Sequence, residues 1–349
     1  MLSNRYIDDN KAEYYLNKLQ EKYKRQLEIK IKNNEYKFEE YPCIVCGDSY
    51  FEILSNKDRY GLYMSVVICK SCGLVQTNPR MDENSYSEFY NDEYRPLYNG
   101  SLTVDENFIN EQVDKGEIIY KVLNKYNILS KKHINRILEV GCSSGGILHI
   151  FNKNKFEVLG IDLNHDHVTK GKNIFGIDLR TTTIKNILEE PKFDLILYAD
   201  VFEHICDPIK ELNMIHQLLS DKGFLVLMVP GIKNLKYSYK CDFLKYLQNA
   251  HIHHFSLTSL DNLLNMAAFD RIHGDEGIFA VYTKRNQKRD YFINDFRATL
   301  DFLKDVEKNR IRYYMFSILK NLIIRVLKAL NLYNTIRLIL LKIHSNKIK

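Results

Sequence analysis

From residue 134 onward, short apolar runs alternate with stretches of helical spacing. Four runs have the length of strands but lack the polar alternation of a half-exposed strand: INRILEVG, FEVLGIDL, FDLILYAD and GFLVLMVP. Such runs are typical of strands buried on both faces of a parallel sheet. Between these runs lie segments with apolar residues at helical spacing, such as GGILHIFNKN and DPIKELNMIHQLLSD. DRIHGDE and GIFAVYTKR predict a further pair of strands. This alternation predicts an α/β fold with a doubly wound sheet.

The first 130 residues follow a looser pattern. Residues 10–40 carry apolar positions at helical spacing among many charges, which predicts a surface helix. MDENSYSEFYNDEY predicts a short helix ending at Arg95-Pro96, because the residue before a proline disfavours the helical conformation. A second helix is expected over 105–128. The chain thus divides into an N-terminal helix (1–40), a cysteine-containing module (41–78), a helical linker or cap (79–130), an α/β domain (131–285) and a helical tail (286–349).

Charge is unevenly distributed over the 349 residues. The net charge is +6, yet residues 311–349 hold eight Lys/Arg and no Asp/Glu, so the remainder carries −2. A near-neutral body argues against a nucleic-acid surface over the whole protein. No stretch of 18 apolar residues lacks a charge, and the N-terminus has no apolar signal region. We expect a cytoplasmic protein without a transmembrane helix.

Four of the seven cysteines form two CxxCG repeats, with 22 residues between the pairs. Two residues between cysteines let both sulfurs reach one ion, and the glycine permits the tight turn that follows. Cys43, Cys46, Cys69 and Cys72 therefore predict a closed, structural zinc site of the zinc-ribbon type. Another metal or an iron–sulfur centre is the alternative for this spacing. Disulfides are not expected in a reducing compartment.

A glycine-containing segment, ILEVGCSSGG at 137–146, lies between a predicted strand and a predicted helix. Gly141 and Gly145 let a ligand approach the backbone, and the helix N-terminus offers free N–H groups. The spacing G-x-x-x-G-G does not match the dinucleotide fingerprint G-x-G-x-x-G. About 20 residues later, Asp162 ends the next strand, where a carboxylate can accept both hydroxyls of a ribose.

These motifs resemble those of class I S-adenosylmethionine-dependent methyltransferases. ILEVGCSSGG is similar to motif I, GIDLN to the acidic strand end, FDLILYADVFEHICDP to the fourth strand with its loop, and GFLVLMVPG to the fifth strand. HIHHFSLTSLDNLLNMAAF, at 251–269, resembles the segment before the last helix in one branch of the class. The resemblance covers residues 134–285 and implies a Rossmann-like, seven-stranded sheet that binds S-adenosylmethionine. A nucleotide-free α/β domain with a similar loop is the alternative.

The resemblance also implies a set of cofactor contacts. Glu139, Gly141 and Gly145 would surround the methionine part of the cofactor, and Asp162 would bind the ribose. Ser143 stands where the usual motif has its middle glycine. TTTIKN, after the third strand, lacks the acid that often meets the adenine amine, so that contact stays unassigned. The implied contacts are Glu139, Gly141, Cys142, Gly145, Asp162, Leu163 and Asp200.

The loop after the fourth strand lies, by the same resemblance, beside the transferred methyl group. Methyl transfer is an in-line displacement in which the protein mainly positions the reactants. A sugar hydroxyl needs a base to take its proton, and His204 titrates in the right range. His253 and His254 are the other candidate catalytic residues. The Glu-His pair can instead cap the next helix, shape the pocket, or hold a divalent cation through Glu203 and His204.

The arrangement of the zinc module before the methyltransferase segment resembles a bacterial group that modifies sugars in antibiotic, O-antigen and capsule pathways. The specific part is CGLVQTNPR followed by FYNDEYR. Carbon-methylating members usually carry a third large domain, for which no room is expected after residue 285. We therefore predict O-methylation of a nucleotide-linked or glycan sugar in polysaccharide biosynthesis. Carbon methylation, RNA methylation with the zinc ribbon as a grip, and a platform without turnover are alternatives; the mixed charges of the module make nucleic acid the less expected partner.

The C-terminal segment interrupts every apolar run with a basic residue, as in SILKNLIIRVLKALNLYNTIRLILLKI. We do not expect it to span a bilayer, but it can lie in an anionic interface with its apolar face buried. That would place the protein peripherally on the inner face of the plasma membrane. Packing on the protein itself or in a homodimer is the main alternative, and a nucleic-acid grip is the third.

Overall fold

The computed structural model describes residues 1–101, 106–131, 133–289 and 291–329. The rest of the predicted tail, 330–349, lies outside the described residues. The first part of the chain contains α1 Lys18–Lys32, β1 Phe38–Glu39, β2 Phe51–Lys57, β3 Tyr63–Cys69, β4 Val75–Thr77, β5 Arg80–Met81, α2 Glu83–Phe89, α3 Arg95–Asn99 and α4 Glu106–Lys125.

The second part alternates strands and helices. Its elements are β6 Arg136–Val140, α5 Gly146–Lys153, β7 Glu157–Asp162, α6 His165–Phe175, β8 Asp178–Thr181, β9 Phe193–Ala199, α7 Pro208–Leu218, β10 Leu219–Met228, α8 Phe243–Tyr246, β11 His253–His254, α9 Leu257–Met266, β12 Phe269–His273, β13 Phe279–Lys284 and α10 Phe296–Ala329.

Within the described residues, seven strands form one sheet in the order β12-β13-β10-β9-β6-β7-β8. β10, β9, β6, β7 and β8 run parallel, whereas β13 is antiparallel to both of its neighbours. The strand order reverses between β6 and β9. In sheets of this kind a crevice opens at that point, at the carboxyl ends of the strands.

Helices cover both faces of this sheet, which explains the continuous apolar runs of its strands. Ile119 of α4 and Phe151 of α5 pack in the core on one face. Leu212 of α7 and Leu263 of α9 pack in the core on the other face, together with Leu74 from the cysteine-containing module. The module therefore shares a hydrophobic core with the large sheet.

A small sheet joins the cysteine-containing module to the α/β domain. Its strand order is β11-β4-β3-β2. β11 comes from far along the chain, and it pairs His253 with Gln76 and His254 with Val75. The division into five segments stays a prediction. One strand of the α/β segment, β11, completes the sheet of the module.

Helix α10 differs between its two halves. Its start is tied to the module, because the N–H of Asp295 donates to the carbonyl of Cys72 (3.0 Å). Leu303 and Val306 are fully buried, whereas several large apolar side chains further along are exposed, such as Met315 (59%) and Phe316 (66%). None of the described helices has the length and apolarity that a membrane span requires.

The predicted α/β fold, its four buried strands and the final strand pair are confirmed. One local prediction is wrong. The helix of MDENSYSEFYNDEY does not end at Arg95-Pro96; α2 continues through a π-helical turn, Tyr90–Tyr94, into α3. Pro96 lies in the first turn of α3, directly after the π-helical turn that precedes it. The predicted surface helix over 10–40 is limited to Lys18–Lys32, whose start is capped by Asn17.

Candidate active site

The loop from Gly141 to Gly145 joins β6 to α5 at the carboxyl edge of the sheet. Gly141, Ser143 and Gly145 have positive φ angles of 72°, 50° and 73°. A side chain at Gly141 would also lack space, since its Cβ would lie 2.4 Å from Cγ2 of Val201. The Ser143 hydroxyl forms a hydrogen bond with Nδ1 of His167 (2.6 Å). This bond holds the serine in the conformation that a glycine usually takes in the motif.

Asp162 ends β7 beside this loop, at the predicted position. Its two carboxylate oxygens accept the N–H groups of Ser143 and Asn164, both at 2.8 Å. The backbone of the two loops therefore orients the carboxylate. Each oxygen keeps a lone pair that can accept a ribose hydroxyl.

The crevice next to the loop is lined by charged groups. Glu139 is 1% exposed, and its Oε2 has no hydrogen-bond partner among the described residues. Burial raises the pKa of Glu139 well above its usual range. Lys115 of α4 forms an ion pair with Asp200, which follows β9. These three residues, together with the 141–145 loop and Asp162, are called the donor crevice below; its mixed charges suit the ammonium and carboxylate of an amino-acid ligand.

Two predicted cofactor contacts, Cys142 and Leu163, differ in the exposure of their side chains. The Cys142 side chain is buried in the core beside Gly160, where an added Cβ would lie 2.7 Å from its Sγ. Its N–H donates to the carbonyl of Ile161 (3.0 Å). Cys142 can therefore border the crevice only with its backbone. Leu163 is 72% exposed at the end of β7, so its side chain is free to cover a planar ring.

His204 follows β9 in a short 3-10 turn, Phe202–His204. Its Nδ1 lies 2.8 Å from the carbonyl oxygen of Ala250 and also contacts the hydroxyl of Tyr90. Because a carbonyl oxygen can only accept, Nδ1 carries the proton and Nε2 keeps its lone pair. Burial lowers the pKa of His204 to about 4. The ring is therefore neutral at pH 7 and can take up a proton through Nε2.

Further buried acceptor groups surround His204. The Nε2 atoms of His204 and His251 each lie 3.7 Å from Oε1 of Glu203. Neither oxygen of Glu203 has a hydrogen-bond partner among the described residues. The potential ligand atoms of these three side chains lie within 4.8 Å of one another, so the group can hold a divalent cation. The amide of Gln248 contacts Nε2 of His251 and would have to move first.

The other two predicted catalytic histidines lie side by side on β11 and are fully buried. Successive side chains of a strand point to opposite faces. The His254 ring lies 6.1 Å from that of His251, and burial lowers the pKa of His254 to about 3. His253 instead lies 3.5 Å from the guanidinium of Arg80. The structure thus brings His254, and not His253, toward His204.

Comparison with known proteins agrees with this geometry. Residues 113–273 match a family described as a methyltransferase domain. The chain contains a class I S-adenosylmethionine-dependent methyltransferase domain. A ubiquinone biosynthesis O-methyltransferase of Rhodopseudomonas palustris (strain HaA2) is 29% identical over 97 residues, which are 26% of this chain and 38% of that protein. The chain thus matches less than half of the length of this relative.

Two solved structures are also similar to the chain. The 1,6-didemethyltoxoflavin-N1-methyltransferase of Burkholderia thailandensis has a TM-score of 0.44 and 15% identity, over 68% of this chain and all (100%) of that one. CalS10, an amino pentose methyltransferase from Micromonospora echinaspora, has a TM-score of 0.30 and 18% identity, over 37% of this chain and 58% of that one.

A row of tyrosines from the π-helical turn and α3 runs past the methyltransferase domain next to His204. Tyr90, Tyr94 and Tyr98 are four residues apart, so they share one face of the helical stretch. Ring centroids are 4.6 Å apart between Tyr90 and Tyr94 and 5.6 Å between Tyr94 and Tyr98. Tyr94 lies 6.0 Å from the His204 ring, and the guanidinium of Arg59 lies 5.3 Å from Tyr98. His204, these tyrosines and Arg59 are called the acceptor wall below.

Several residues of the methyltransferase site escaped the sequence analysis. Lys115 lies in a helix that was predicted, but its ion pair with Asp200 depends on how α4 packs against α5. His251 and Arg59 carry no motif of their own. The tyrosines did leave a signal, because their spacing of four in a helical stretch indicates one shared face. That signal does not say what the face contacts.

The four predicted cysteine ligands do come together. The Sγ atoms of Cys43 and Cys72 are 3.3 Å apart, and those of Cys46 and Cys69 are 3.4 Å apart. All four lie within 4.8 Å of one another. Gly47 and Gly73 take the positive φ angles (72° and 85°) that the two tight turns require. Four converging thiols fit a closed tetrahedral metal site.

Proposed function

We propose that the protein methylates an oxygen atom of a sugar with S-adenosylmethionine, in the biosynthesis of a surface polysaccharide. The sequence pattern of the cysteine-containing module followed by FYNDEYR and the methyltransferase domain supports a sugar acceptor. The matched relatives are named O-methyltransferases, which supports oxygen as the methylated atom. The tyrosine row adds amphipathic side chains with apolar faces and polar ends, as a sugar requires.

The contact between Nδ1 of His204 and the carbonyl oxygen of Ala250 is the observation that carries this proposal. This Nδ1–H is engaged by the Ala250 carbonyl, so Nε2 is the atom that accepts the proton of the acceptor hydroxyl. His204 lies four residues after Asp200 of the donor crevice, and the charge of Asp200 acts on the pKa of His204. His254 is a second candidate for the base, whereas the position of His253 makes it the weakest of the three predicted candidates.

The donor crevice would hold S-adenosylmethionine, whose sulfonium supplies a methyl group with a good leaving group. Asp162 would accept the ribose hydroxyls, and Leu163 would cover the adenine. Glu139, Asp200 and Lys115 would bind the charged ends of the methionine part. The backbone at Gly141, Cys142 and Gly145 would line the loop. The protein thus orients the two reactants and takes up one proton.

We infer that the four cysteines bind zinc in a structural role. A site with four thiolates leaves no coordination position for a substrate, and its binding free energy stabilises the fold of a small module. Another metal or an iron–sulfur centre is the alternative, since tetrahedral sites of four thiolates hold zinc or iron. Elemental analysis of the purified protein tests this assignment.

We propose that α10 contacts an anionic membrane or a second copy of the protein through the exposed apolar side chains that begin at Ile311. Apolar side chains such as Phe316 are exposed there, and the sequence from residue 311 is basic without any acid. Either partner would cover the apolar surface. The first partner corresponds to a cytoplasmic protein held at the inner face of the plasma membrane.

The test is a methyl-transfer assay with the full chain, isotopically labelled S-adenosylmethionine and a panel of nucleotide sugars. The product is analysed by NMR for the atom that carries the label. A methyl group on oxygen supports the proposal, and one on carbon supports the carbon-methylating alternative. Transfer of the label to RNA under the same conditions would support the RNA alternative. Absence of S-adenosylhomocysteine binding in calorimetry would instead indicate a platform without turnover.

A further inference from the structure

The turn between β2 and β3 is clamped to the methyltransferase domain. The carboxyl group of Asp58 is fully buried and accepts the N–H groups of Tyr60 (2.8 Å), Leu62 (2.9 Å) and Asn249 (3.2 Å). The N–H of Arg59 donates to the carbonyl of Leu247 (3.0 Å). These bonds hold the turn rigidly, so the cysteine-containing module presents Arg59 at a defined place on the acceptor wall.

The guanidinium of Arg59 is half buried and forms no direct ion pair within the described residues. Its Nη2 donates to the Tyr60 hydroxyl (2.9 Å) and to Oε1 of Gln248 (2.6 Å), whereas Nε and Nη1 donate no hydrogen bond there. The neighbouring carboxyl group of Asp58 helps to raise the pKa of Arg59, but its oxygens accept backbone N–H groups and not the guanidinium. The two unused donors of this partly desolvated cation can therefore bind an anionic ligand.

Arg59 stands at one end of a continuous series of side chains that leads to His204. Along one route, Arg59 contacts Tyr98, which stacks on Tyr94, whose ring meets that of His204. Along another route, Gln248 connects Arg59 with His251, whose ring lies 4.8 Å from that of His204. Tyr98 is 48% exposed, so the Arg59 end of the wall opens to solvent.

We propose that Arg59 binds a phosphate group of the acceptor and thereby determines which sugars are methylated. This inference rests on the proposed function, since it names the class of acceptor. The two unused donors of the guanidinium, Nε and Nη1, lie on different sides of the group, and each can donate a charge-assisted hydrogen bond to a phosphate oxygen. The tyrosine row separates the phosphate from the hydroxyl at His204, as a sugar between the two groups requires.

A phosphorylated sugar acceptor can come from two sources with the same chemistry. In a nucleotide sugar, a nucleoside diphosphate carries the sugar. In a lipid-linked sugar, a prenyl diphosphate carries it. Arg59 would bind the phosphate group in both acceptors, so binding measurements with both kinds of diphosphate distinguish the two sources.

The experiment measures binding of inorganic pyrophosphate, UDP, dTDP and farnesyl diphosphate to the full-length protein by calorimetry. Wild type is compared with Arg59→Gln, Arg59→Lys and the charge-matched control Lys153→Gln on the exposed side of α5. Loss of a charge-assisted hydrogen-bonding group predicts that Arg59→Gln binds the preferred probe roughly ten- to a hundredfold more weakly. Arg59→Lys should retain part of the affinity, and Lys153→Gln all of it.

S-adenosylhomocysteine binding by each variant separates the possible failures. If neither wild type nor any variant binds S-adenosylhomocysteine, the proposed function is wrong. If all bind it, but wild type binds no probe or Arg59→Gln binds as tightly as wild type, the role of Arg59 is overturned. Preference for UDP or dTDP assigns a nucleotide-linked acceptor, and preference for farnesyl diphosphate assigns a lipid-linked one. Equal affinity for pyrophosphate shows that Arg59 reads the phosphate alone.

Discussion

Most of the donor crevice comes from one continuous segment, whereas the acceptor wall is assembled from distant parts of the chain. Glu139, the 141–145 loop, Asp162 and Asp200 all lie at the carboxyl ends of three adjacent parallel strands, and only Lys115 comes from outside. The acceptor wall combines Arg59 of the cysteine-containing module, three tyrosines of the π-helical turn and α3, and His204. The two regions meet where β9 ends.

This difference predicts that the two regions respond separately to mutation. The donor crevice depends on the large sheet, which has its own buried strands and covering helices. The acceptor wall depends on the contact between the module and the methyltransferase domain, where β4 pairs with β11 and the turn at Arg59 binds the 247–249 segment. Changes to the module should therefore affect acceptor use more than cofactor binding.

The largest effect is expected from Cys69→Ser. Losing one of four thiolates should release the metal and unfold the small module, because metal binding supplies folding free energy. Methyl transfer should be lost and the melting temperature lowered, while S-adenosylhomocysteine still binds at low temperature. Calorimetry and elemental analysis measure both properties.

Cys241→Ser is the matched control for that experiment, since Cys241 is a buried cysteine outside the cluster. Its metal content, turnover and cofactor affinity should equal those of wild type. If Cys69→Ser loses cofactor affinity together with turnover, the two regions do not fold independently and the comparison is broken.

His204→Ala should lower turnover by about 10²- to 10⁴-fold, the usual contribution of a general base. Affinity for S-adenosylhomocysteine should stay unchanged, because the acceptor wall alone is altered. Since burial lowers the pKa of His204 to about 4, the wild-type rate should be independent of pH above 5 and fall as the pH approaches 4. An alanine variant with the wild-type rate and pH profile would exclude His204 as the base.

Asp162→Ala tests the other region. Removing a charged acceptor of hydrogen bonds should weaken S-adenosylhomocysteine binding by about 1–3 kcal/mol. The KM for the acceptor should stay near the wild-type value, since Asp162 lies in the donor crevice. Calorimetry and steady-state kinetics measure the two effects. Asp166→Ala, an exposed acid on α6, is the control, and an unchanged affinity in Asp162→Ala would dismiss the ribose contact.

Acid should destabilise the histidine-rich surroundings of the acceptor wall. Burial lowers the pKa of His254 to about 3, whereas an unfolded chain binds the proton near 6.5. Between these values the unfolded state binds more protons, so stability falls as the pH drops below 6.5. The free energy of unfolding should decrease by about 2 kcal/mol for this group between pH 6.5 and 5. Urea titrations of wild type and His254→Phe at both pH values should show a smaller decrease in the variant.

The smallest effect on either region is expected from deleting 311–349. The deleted segment begins after the fully buried Leu303 and Val306 of α10, so turnover with a small soluble acceptor should be unchanged. Binding to anionic vesicles should be lost if a membrane covers the exposed half of the helix. Sedimentation with vesicles, and light scattering for the dimer alternative, measure the two partners. Equal vesicle binding by both proteins would contradict a membrane role.

The sequence by itself determined the elements and ligands that depend on neighbours along the chain. The buried strands show as continuous apolar runs, the glycines of the 141–145 loop mark positive φ angles, and the cysteine pairs mark one cluster. Ser143, which stands where the motif usually has a glycine, also has a positive φ angle. The wrong prediction at Arg95-Pro96 has a local cause as well, because the proline follows a π-helical turn and does not end the helical stretch.

Only the tertiary structure decided which distant residues share a site. The strand β11, which pairs with β4, brings His254 and not His253 toward His204. The packing of α4 on α5 brings Lys115 to Asp200, and the turn between β2 and β3 brings Arg59 to the tyrosine row. None of these contacts has a periodicity or spacing in the sequence. They follow from how separate hydrophobic surfaces pack in three dimensions, and a local sequence pattern records that a surface is apolar without recording what it packs against.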